Sequence, residues 1–336
     1  MTQPPRTVTE ESYLPEPVGD DSVQPTGATP PLTVKVIGVG RFGSRLLPGL
    51  VDNPRISGTL AIHTDQRLVA SARAEQSLLL GPGTSLAGNC IRGRALARAQ
   101  SLELDDALGE ADVFLVVGGQ GGSTGSGVLP EVAALAQKKG FTFVLTSLPF
   151  AFEAPRRSRV AELALRRLSR LNIPTFTLPN ETLAAGLGAR GAFREALDMG
   201  TTQLMSGIRA LSASAAGPAL IDMGPADIQG LFRATPNARG IFASAAGDGS
   251  VPFSDLMERA LRQALSGNQP GDTGALLFTI RTHRDYDLRM NALAAALDRV
   301  RPHLGDQANI TFGAWCEEDD LAPSCVVVDL FSVSKG

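Results

Sequence analysis

The sequence predicts an α/β fold in which a Rossmann-like parallel sheet is followed by a long helix and then by a smaller α+β unit. Three observations predict this fold. Short β-branched runs end directly in glycine-rich turns, helical segments alternate with these runs in the first half, and the order of elements changes after one long amphipathic stretch. Alternating strands and helices are typical of a parallel sheet with helices on both faces.

Four segments follow from this pattern. Residues 1–31 are rich in proline and acidic residues, which predicts a disordered tail. Residues 32–189 form the first α/β domain, and residues 190–213 form the long helix because their apolar residues fall on one stripe. Residues 214–333 form the smaller α+β domain. The strands predicted in these two domains cover 32–37, 60–63, 113–117, 142–146, 175–178, 240–246, 275–281, 310–315 and 324–331. The predicted helices include the first, which begins at about Ser44, and a later one over 290–300.

Composition and charge exclude several classes of protein. Of 336 residues 43% are hydrophobic, which is enough for a sizeable core, and the formal net charge is -3. Such a chain has no overall positive field to attract nucleic acid or an anionic membrane. The 3 Cys and 3 His show no metal-ligand spacing, and no apolar run is long enough to span a bilayer. We therefore expect a cytoplasmic protein that contacts neither nucleic acid nor membrane directly.

The first glycine-rich turn follows the first predicted strand. Gly38-Val39-Gly40-Arg41-Phe42-Gly43 is a literal G-x-G-x-x-G between a strand and a helix. Glycines there let the backbone approach a phosphate, whose charge is stabilised by free N–H groups and the helix N-terminus. Asp65 ends the next strand about 20 residues on, where a dinucleotide enzyme would hold a ribose hydroxyl. Taken alone, this turn favours NAD binding.

The second glycine-rich turn is longer. Six of the ten residues from Gly118 to Gly127 are glycine, interleaved with the hydroxyls of Ser123, Thr124 and Ser126. A dinucleotide needs one such turn, so two turns suggest a single triphosphate held from two sides. The chain has no G-x-x-x-x-G-K-[ST] motif. Phosphate charge would therefore be met by backbone amides, a helix dipole and a metal ion in place of a loop lysine.

With these turns in place, the chain resembles the FtsZ/tubulin superfamily of polymerising GTPases, and the resemblance extends over residues 32–333. It implies the tubulin/FtsZ fold, with residues 32–189 as the GTP-binding domain, 190–213 as the central helix and 214–333 as the assembly domain. Six segments carry the resemblance in the order that the family has them, namely Val36–Gly40, His63–Asp65, Gly118–Pro130, Leu148–Arg157, Leu178–Glu181 and Ala308–Ala314.

The resemblance implies a role for each matching position. The two glycine turns would wrap the phosphates of GTP or GDP, Glu153 and Arg157 would hold the ribose and the neighbouring phosphate, and Asn180 would read the guanine edge. Phe193 would stack on the base. Leu197 stands where the family has its guanine-reading carboxylate, so Asp198 is the candidate for that role. The residues expected to bind nucleotide are Gly40, Arg41, Phe42, Gly43, Ser44, Arg45, Asp65, Gly121, Gly122, Ser123, Thr124, Gly125, Ser126, Glu153, Arg157, Asn180, Phe193 and Asp198.

The catalytic loop departs from the family pattern. In the superfamily, a loop of the next subunit completes hydrolysis with acidic residues, and the matching positions here are Asp222 and Asp227. The first aspartate of the pattern is replaced by Gly224, which is followed by Pro225. Losing one positioned polar group costs about 10²–10³ in rate. We therefore expect head-to-tail self-association with weak GTPase activity, Mg²⁺ as an accompanying ion without a protein metal site, and other FtsZ-family proteins as candidate partners.

Three alternatives stay open at this stage. An NAD(P)-dependent Rossmann oxidoreductase would explain the first turn alone. A nucleotide-free structural relative would be consistent with Arg41, Arg45 and Gly224. A hydrolase would read Gly121–Gly125 as a G-x-S-x-G elbow with His283 or His303 as its base. Besides these, the arginines between Arg156 and Arg170 are interpreted as a solvated helix face, although the sequence does not decide whether that face binds anything.

Overall fold

In a computed structural model, described here for residues 30–188, 192–217, 219–235, 238–265, 273–304, 308–317 and 321–334, eleven strands join into one sheet. The predicted tail therefore lies outside the described residues except for its last two. The strands are β1 (Val34–Val39), β2 (Gly58–His63), β3 (Gln76–Leu79), β4 (Val113–Gly119), β5 (Phe141–Leu148), β6 (Thr175–Pro179), β7 (Ala219–Ile221), β8 (Arg239–Gly247), β9 (Thr273–Thr282), β10 (Asn309–Cys316) and β11 (Val326–Ser334).

Twelve α-helices connect the strands of the described part. They are α1 (Gly40–Leu46), α2 (Gln66–Ala70), α3 (Cys90–Ala99), α4 (Ser101–Leu108), α5 (Ser123–Gly127), α6 (Leu129–Ala136), α7 (Pro155–Arg170), α8 (Asn180–Leu187), α9 (Phe193–Ala216), α10 (Pro225–Ala234), α11 (Phe253–Ala264) and α12 (Met290–Val300). The α/β fold predicted from the sequence is confirmed.

The strand order is β3-β2-β1-β4-β5-β6-β8-β11-β9-β10-β7. The first seven strands in this order, β3-β2-β1-β4-β5-β6-β8, pair with one another in parallel, and β9 is parallel to β10. In contrast, β11 runs antiparallel to both β8 and β9. Chain order reverses between β1 and β4, since β1 leads outward to β2 on one side and β4 leads to β5 on the other. Ligands of open α/β sheets bind at such a switch point, outside the carboxyl ends of the strands.

Helices cover both faces of the parallel part. One apolar core packs α4, α6 and part of α7 against β1, β2 and β4, while the other places α9 across the opposite face. In the second half, α11 and α12 share a core on one face of β8, β9 and β11. The apolar stripe of α9 is buried through Leu204, Ile208 and Leu211, as the spacing in the sequence predicts.

The structure adds two short strands, β3 and β7, to the predicted ones, and two helix boundaries also differ from the sequence prediction. The first helix was expected from about Ser44, but α1 already begins at Gly40, because glycine takes the positive φ of +76° that turns the strand directly into the helix. The central helix begins at Phe193 and runs to Ala216, slightly past the predicted end at residue 213. Neither difference moves a candidate site residue to another part of the fold.

Candidate nucleotide-binding site

A cavity of about 480 Å³ lies at the carboxyl ends of β1, β2, β4, β5 and β6. Each of these five strands contributes the residues that follow it in the chain. The sequence motifs thus meet at the edge of the sheet where its topology predicts a ligand. The residues lining the cavity include Gly40, Arg41, Phe42, Arg45, His63, Asp65, Gly122, Ser123, Thr124, Gly125, Glu153, Arg157, Asn180 and Phe193.

The two glycine turns lie side by side, since a Cβ atom added at Gly40 would lie 3.4 Å from the Thr124 Cβ and 3.5 Å from the Gly125 nitrogen. Within the second turn, a Cβ atom added at Gly125 would lie 1.9 Å from the Gly119 carbonyl oxygen, and one added at Gly43 would lie 2.3 Å from that of Val117 in β4. These two close approaches require glycine, and at Gly40 glycine is favoured by the positive φ of +76°. The approaches leave the first N–H groups of α5, which have no intrahelical partner, beside the cavity.

Hydroxyl groups connect the loop after β2 to the second glycine turn and brace that turn internally. Thr64, which follows β2, and Thr124 in the second glycine turn place their Oγ1 atoms 3.0 Å apart, and both side chains are buried. Ser126 lies behind the same turn, where its Oγ accepts a hydrogen bond from the Gly121 N–H at 2.8 Å. Of the predicted residues, Gly43, Ser44, Gly121 and Ser126 therefore support the cavity from behind and do not line it.

Gln120 is a lining residue that the sequence analysis missed. It is buried, and its Oε1 accepts a hydrogen bond from the Ser126 Oγ at 2.9 Å, which orients the side-chain amide. The Nε2 group is buried and has no hydrogen-bond partner within the described residues. An unpaired buried donor costs free energy. Because Gln120 lines the cavity, we expect this amide to donate to a bound ligand.

The base end of the cavity is bounded by aromatic rings. Phe150 is buried, whereas Phe152 is 73% and Phe193 57% exposed, and the rings of Phe150 and Phe193 lie 5.5 Å apart. Asn180 begins α8 at the same end. Phe150, Asn180 and Phe193 thus share one end of the cavity, and their roles around a base stay a prediction.

Asp198 does not line this cavity. Leu197 does, and Asp198 instead lines a separate cavity of about 660 Å³ beside α9, together with Ser206 and Arg281. One residue along a helix rotates the side chain by about 100°, which places it on another face. The proposed one-residue shift is therefore corrected, because a guanine-reading carboxylate at Asp198 would point away from the site.

Glu153 and Arg157 form an ion pair across one helical turn, with Oε2 and Nη1 2.5 Å apart. The Glu153 Oε1 also accepts a hydrogen bond from the Phe150 N–H at 2.9 Å, so this side chain fixes the turn after β5. Arg157 packs against Gly121, where an added Cβ would lie 3.2 Å from the Arg157 Cβ. The pair thus links the turn after β5 to the second glycine turn.

Positive charge at the cavity comes from arginines. Arg41 and Arg45 are exposed and form no ion pair within the described residues. Asp65, an acidic residue that lines the same cavity, caps α2 and is paired with Arg67 at 3.1 Å, and this hydrogen-bonded partner holds the pKa of Asp65 below its ordinary value. The two arginines on α1 therefore keep their charge available for an anionic ligand.

His63 lies buried at the end of β2, and its Nδ1 accepts a hydrogen bond from the Asp65 N–H at 2.8 Å. Burial lowers the pKa of His63 below its ordinary value of 6.5, and the charge of Arg41 lowers it further, while Asp65 offsets part of the shift. The side chain is therefore neutral at pH 7.

We expect this histidine to make the fold less stable in mild acid. In the unfolded chain His63 binds a proton near pH 6.5, whereas in the folded chain it binds one only at lower pH. The free energy of unfolding therefore falls as the pH drops from about 6.5 towards the folded-state pKa of His63. Urea unfolding at pH 7.5 and 5.5 measures this fall. His63→Gln should reduce it, whereas the exposed His303→Gln should not. An equal pH dependence in wild type and H63Q would contradict the assignment.

The two candidate catalytic carboxylates lie elsewhere. Asp222 follows the edge strand β7, and Asp227 accepts a hydrogen bond from the Gly224 N–H at 2.9 Å at the start of α10. Both are exposed, and neither lines the cavity of its own chain. His283 and His303 do not line it either, so the hydrolase alternative has no base beside Ser123.

The donor set is compatible with Mg²⁺ arriving with a nucleotide. Mg²⁺ prefers oxygen ligands, and the hydroxyls of Thr64 and Thr124 and the carboxylate of Asp65 line the cavity. Across the described ranges, no group of three or more His, Cys, Asp or Glu side chains could hold a metal ion on its own. These oxygens would hold the ion only together with phosphates, whose charge it would neutralise.

None of the helices in the described ranges is long and apolar enough to cross a membrane.

Comparison with known proteins shows which family this chain is similar to. Residues 33–187 match the model of the Tubulin/FtsZ family, GTPase domain. The chain is 26% identical over 287 residues to cell division protein FtsZ 2 of Rhizobium meliloti, covering 84% of this chain and 82% of that protein. It is 27% identical to cell division protein FtsZ of Magnetospirillum gryphiswaldense, covering 85% of this chain but only 51% of the relative. The chain thus spans about half the length of this second relative.

Solved structures show the same fold. A mutant of FtsZ from M. jannaschii superimposes with a TM-score of 0.77 at 23% identity, covering 91% of both chains. CetZ2 from Haloferax volcanii, solved as a GTPgS-bound protofilament, superimposes with a TM-score of 0.71 at 20% identity, covering 90% of this chain and 92% of that one. The family match over residues 33–187, the relatives and the fold agree with the loops around the cavity, and the chain is therefore similar to proteins of the FtsZ/tubulin superfamily.

Proposed function

We propose that this protein binds GTP and GDP in the cavity at the carboxyl ends of the parallel strands, self-associates head to tail into filaments and hydrolyses GTP slowly. The observation that carries the proposal is the contact between the two glycine turns, which face one cavity together with Thr64 and Gln120. Two turns in contact suit one triphosphate chain. A dinucleotide would be held by the first turn, and the second turn would have to lie away from it.

Head-to-tail assembly is supported by what the cavity lacks and by two exposed apolar areas. Asp222 and Asp227 do not line the cavity of their own chain, so they could act there only if a second copy presents them. Phe152 is 73% exposed and stacks on Phe150, which lines the cavity, and Leu220 is 71% exposed two residues before Asp222. Stacking one copy on another would bury both areas, as exposed apolar patches at interfaces do.

The relatives favour a role in cell division or a related cytoskeletal process, since the curated ones are named as cell division proteins. Other FtsZ-family proteins are proposed as partners on the same ground. Slow hydrolysis follows from Gly224, which stands where the family pattern has an aspartate.

The nucleotide released from the purified, denatured protein tests the binding proposal. Guanine nucleotide is expected on chromatography, whereas a nicotinamide dinucleotide or no nucleotide would overturn it. Sedimentation and electron microscopy with and without GTP test assembly separately. Filaments that appear only with GTP are expected, and a protein that binds GTP yet stays monomeric at all concentrations would contradict the assembly proposal alone.

Gln120 is expected to contribute to nucleotide affinity. Gln120→Met keeps the volume but removes the Nε2 donor, and a hydrogen bond to a charged group is worth about 1.5–3 kcal/mol, so affinity should fall by roughly 10–100-fold. Titration calorimetry with GTP measures the loss. Gln76→Met, at an exposed position of β3, is the matched control and should bind as wild type does. Unchanged affinity in Q120M would show that Nε2 does not face the ligand.

A further inference from the structure

A second concave surface lies between α3 and α7, behind the second glycine turn. This groove has a volume of about 340 Å³, and its apolar wall is formed by Ile91, Val160, Leu163 and Ala164, with Ser126 of α5 at its base. Ile91 is 78% and Leu163 57% exposed. Aliphatic side chains on both sides of a groove form a pocket for an apolar group, and such a surface commonly marks a binding site.

Arginines surround the same groove. Arg94, Arg166, Arg167 and Arg170 line it, and no carboxylate does so within the described residues. Glu131 lies behind them and is shared by three arginines, since Arg94, Arg98 and Arg167 all form ion pairs with it. One carboxylate cannot neutralise three guanidinium groups, so this cluster carries an excess of positive charge.

Three neighbouring arginines show that other carboxylates compensate little of this excess positive charge. Arg170 is exposed and forms no ion pair among the described residues, while Arg166 pairs with Glu162, which Arg239 also contacts. Burial lowers the pKa of Arg167 to about 10, and the charges of Arg94 and Arg98 add to the shift. In a protein whose formal net charge is -3, this groove is a local positive site.

We propose that the groove between α3 and α7 docks an acidic segment of a partner protein that inserts an apolar side chain between Ile91 and Leu163. Arginine clusters recognise carboxylate-rich motifs through charge-assisted hydrogen bonds, and the apolar wall supplies the anchor. A nucleic acid would satisfy the arginines but leave the aliphatic wall without a partner. A membrane would need the apolar side chains on a protruding surface, and here they line a concavity. The inference does not depend on nucleotide binding.

The test uses the full chain without nucleotide and a fluorescein-labelled twelve-residue peptide of glutamates and aspartates with two central leucines. Fluorescence anisotropy at low and high salt measures binding. We expect saturable binding that weakens by at least tenfold between 50 and 200 mM salt, since salt screens interactions between exposed charges (~10 Å Debye length at 0.1 M). A peptide with serines in place of the leucines should bind at least fivefold more weakly.

Variants of the protein locate the site. The double variant Arg166→Glu with Arg170→Glu should lose binding by at least tenfold, and Leu163→Ser should lose about fivefold without charge change. Arg289→Glu, a charge reversal at an exposed arginine before α12, is the matched control and should bind as wild type does. All these positions are exposed, and thermal unfolding checks that each variant is folded. The Leu163 variant keeps the test valid if the charge reversals unfold the protein.

Three results would overturn the proposal. One is peptide binding that is absent or unchanged in both groove variants. Another is binding of duplex DNA or of phosphatidylserine vesicles that exceeds peptide binding and is lost in the same variants. The third is concentration-dependent self-association of wild type that the groove variants abolish, which would assign the surface to a second copy.

Discussion

Replacing Gly125 by alanine is expected to abolish detectable GTP binding. The added Cβ would lie 1.9 Å from the Gly119 carbonyl oxygen and 3.0 Å from its carbon, and both are backbone atoms that no side-chain rotation can move away. The second glycine turn must therefore shift relative to the end of β4, and the amides that face the cavity shift with it. We expect affinity for a fluorescent GTP analogue to fall by more than ~100-fold, because a misplaced cradle loses several contacts at once.

The same substitution should also lower stability. Overpacking of this kind typically costs about 1–3 kcal/mol, which corresponds to a fall in Tm of several degrees for a chain of this size. Gly230→Ala is the control, because Gly230 lies on an exposed face of α10 where an added Cβ meets nothing within 4 Å. G230A should bind GTP as wild type does and be equally or slightly more stable, because alanine is favoured over glycine in a helix interior. If G125A binds within threefold of wild type, the turn does not hold the phosphates.

Gly224→Asp is expected to raise GTP turnover by about 10²-fold. Gly224 has an extended backbone with φ of −94° just before α10, and an added Cβ would meet only the Asp227 carboxylate, at 3.9 Å. An aspartate therefore fits without strain and restores the acidic group that the family pattern has there. A positioned polar group in a catalytic site is worth about 10²–10³ in rate.

The measurement is phosphate release as a function of protein concentration. Because the proposed site is completed by a second copy, the rate per chain should rise with concentration in both proteins, and more steeply in G224D. Gly224→Asn has a similar volume without the charge and should stay near the wild-type rate. Sedimentation separates faster chemistry from better assembly. A wild-type rate that already equals that of G224D would remove Gly224 as the cause of slow hydrolysis.

Most of the fold could be predicted from the sequence, because its signals are local. The strand that becomes β9, expected over 275–281, spans Thr273–Thr282, and the helix expected over 290–300 coincides with α12. Both depend on periodic apolar residues and on breakers that lie close in the chain. The start of α1 was misplaced because a single glycine with positive φ, Gly40, begins the helix without any loop.

The candidate site was predictable to the extent that its motifs are contiguous. Gly40, Thr124, Glu153 and Asn180 all line one cavity, as the resemblance implies. Gln120 belongs to no motif that would predict its role. Only the structure shows that its Nε2 donor is buried and has no hydrogen-bond partner within the described residues. Asp198 was misassigned because a shift of one residue changes the face of a helix while barely changing the sequence pattern.

The sequence by itself determined the order of the long strands and the presence of two phosphate-type turns, since both depend on interactions between near neighbours in the chain, whereas the short edge strands β3 and β7 were not predicted. Tertiary structure alone decided which side chains share a space. Two contacts join residues that lie far apart in sequence, namely the one between the two glycine turns and the ion pairs of three arginines with Glu131. The position of Asp198 at a separate cavity is likewise visible only in the folded chain. Such contacts depend on packing across the sheet, which no local pattern specifies.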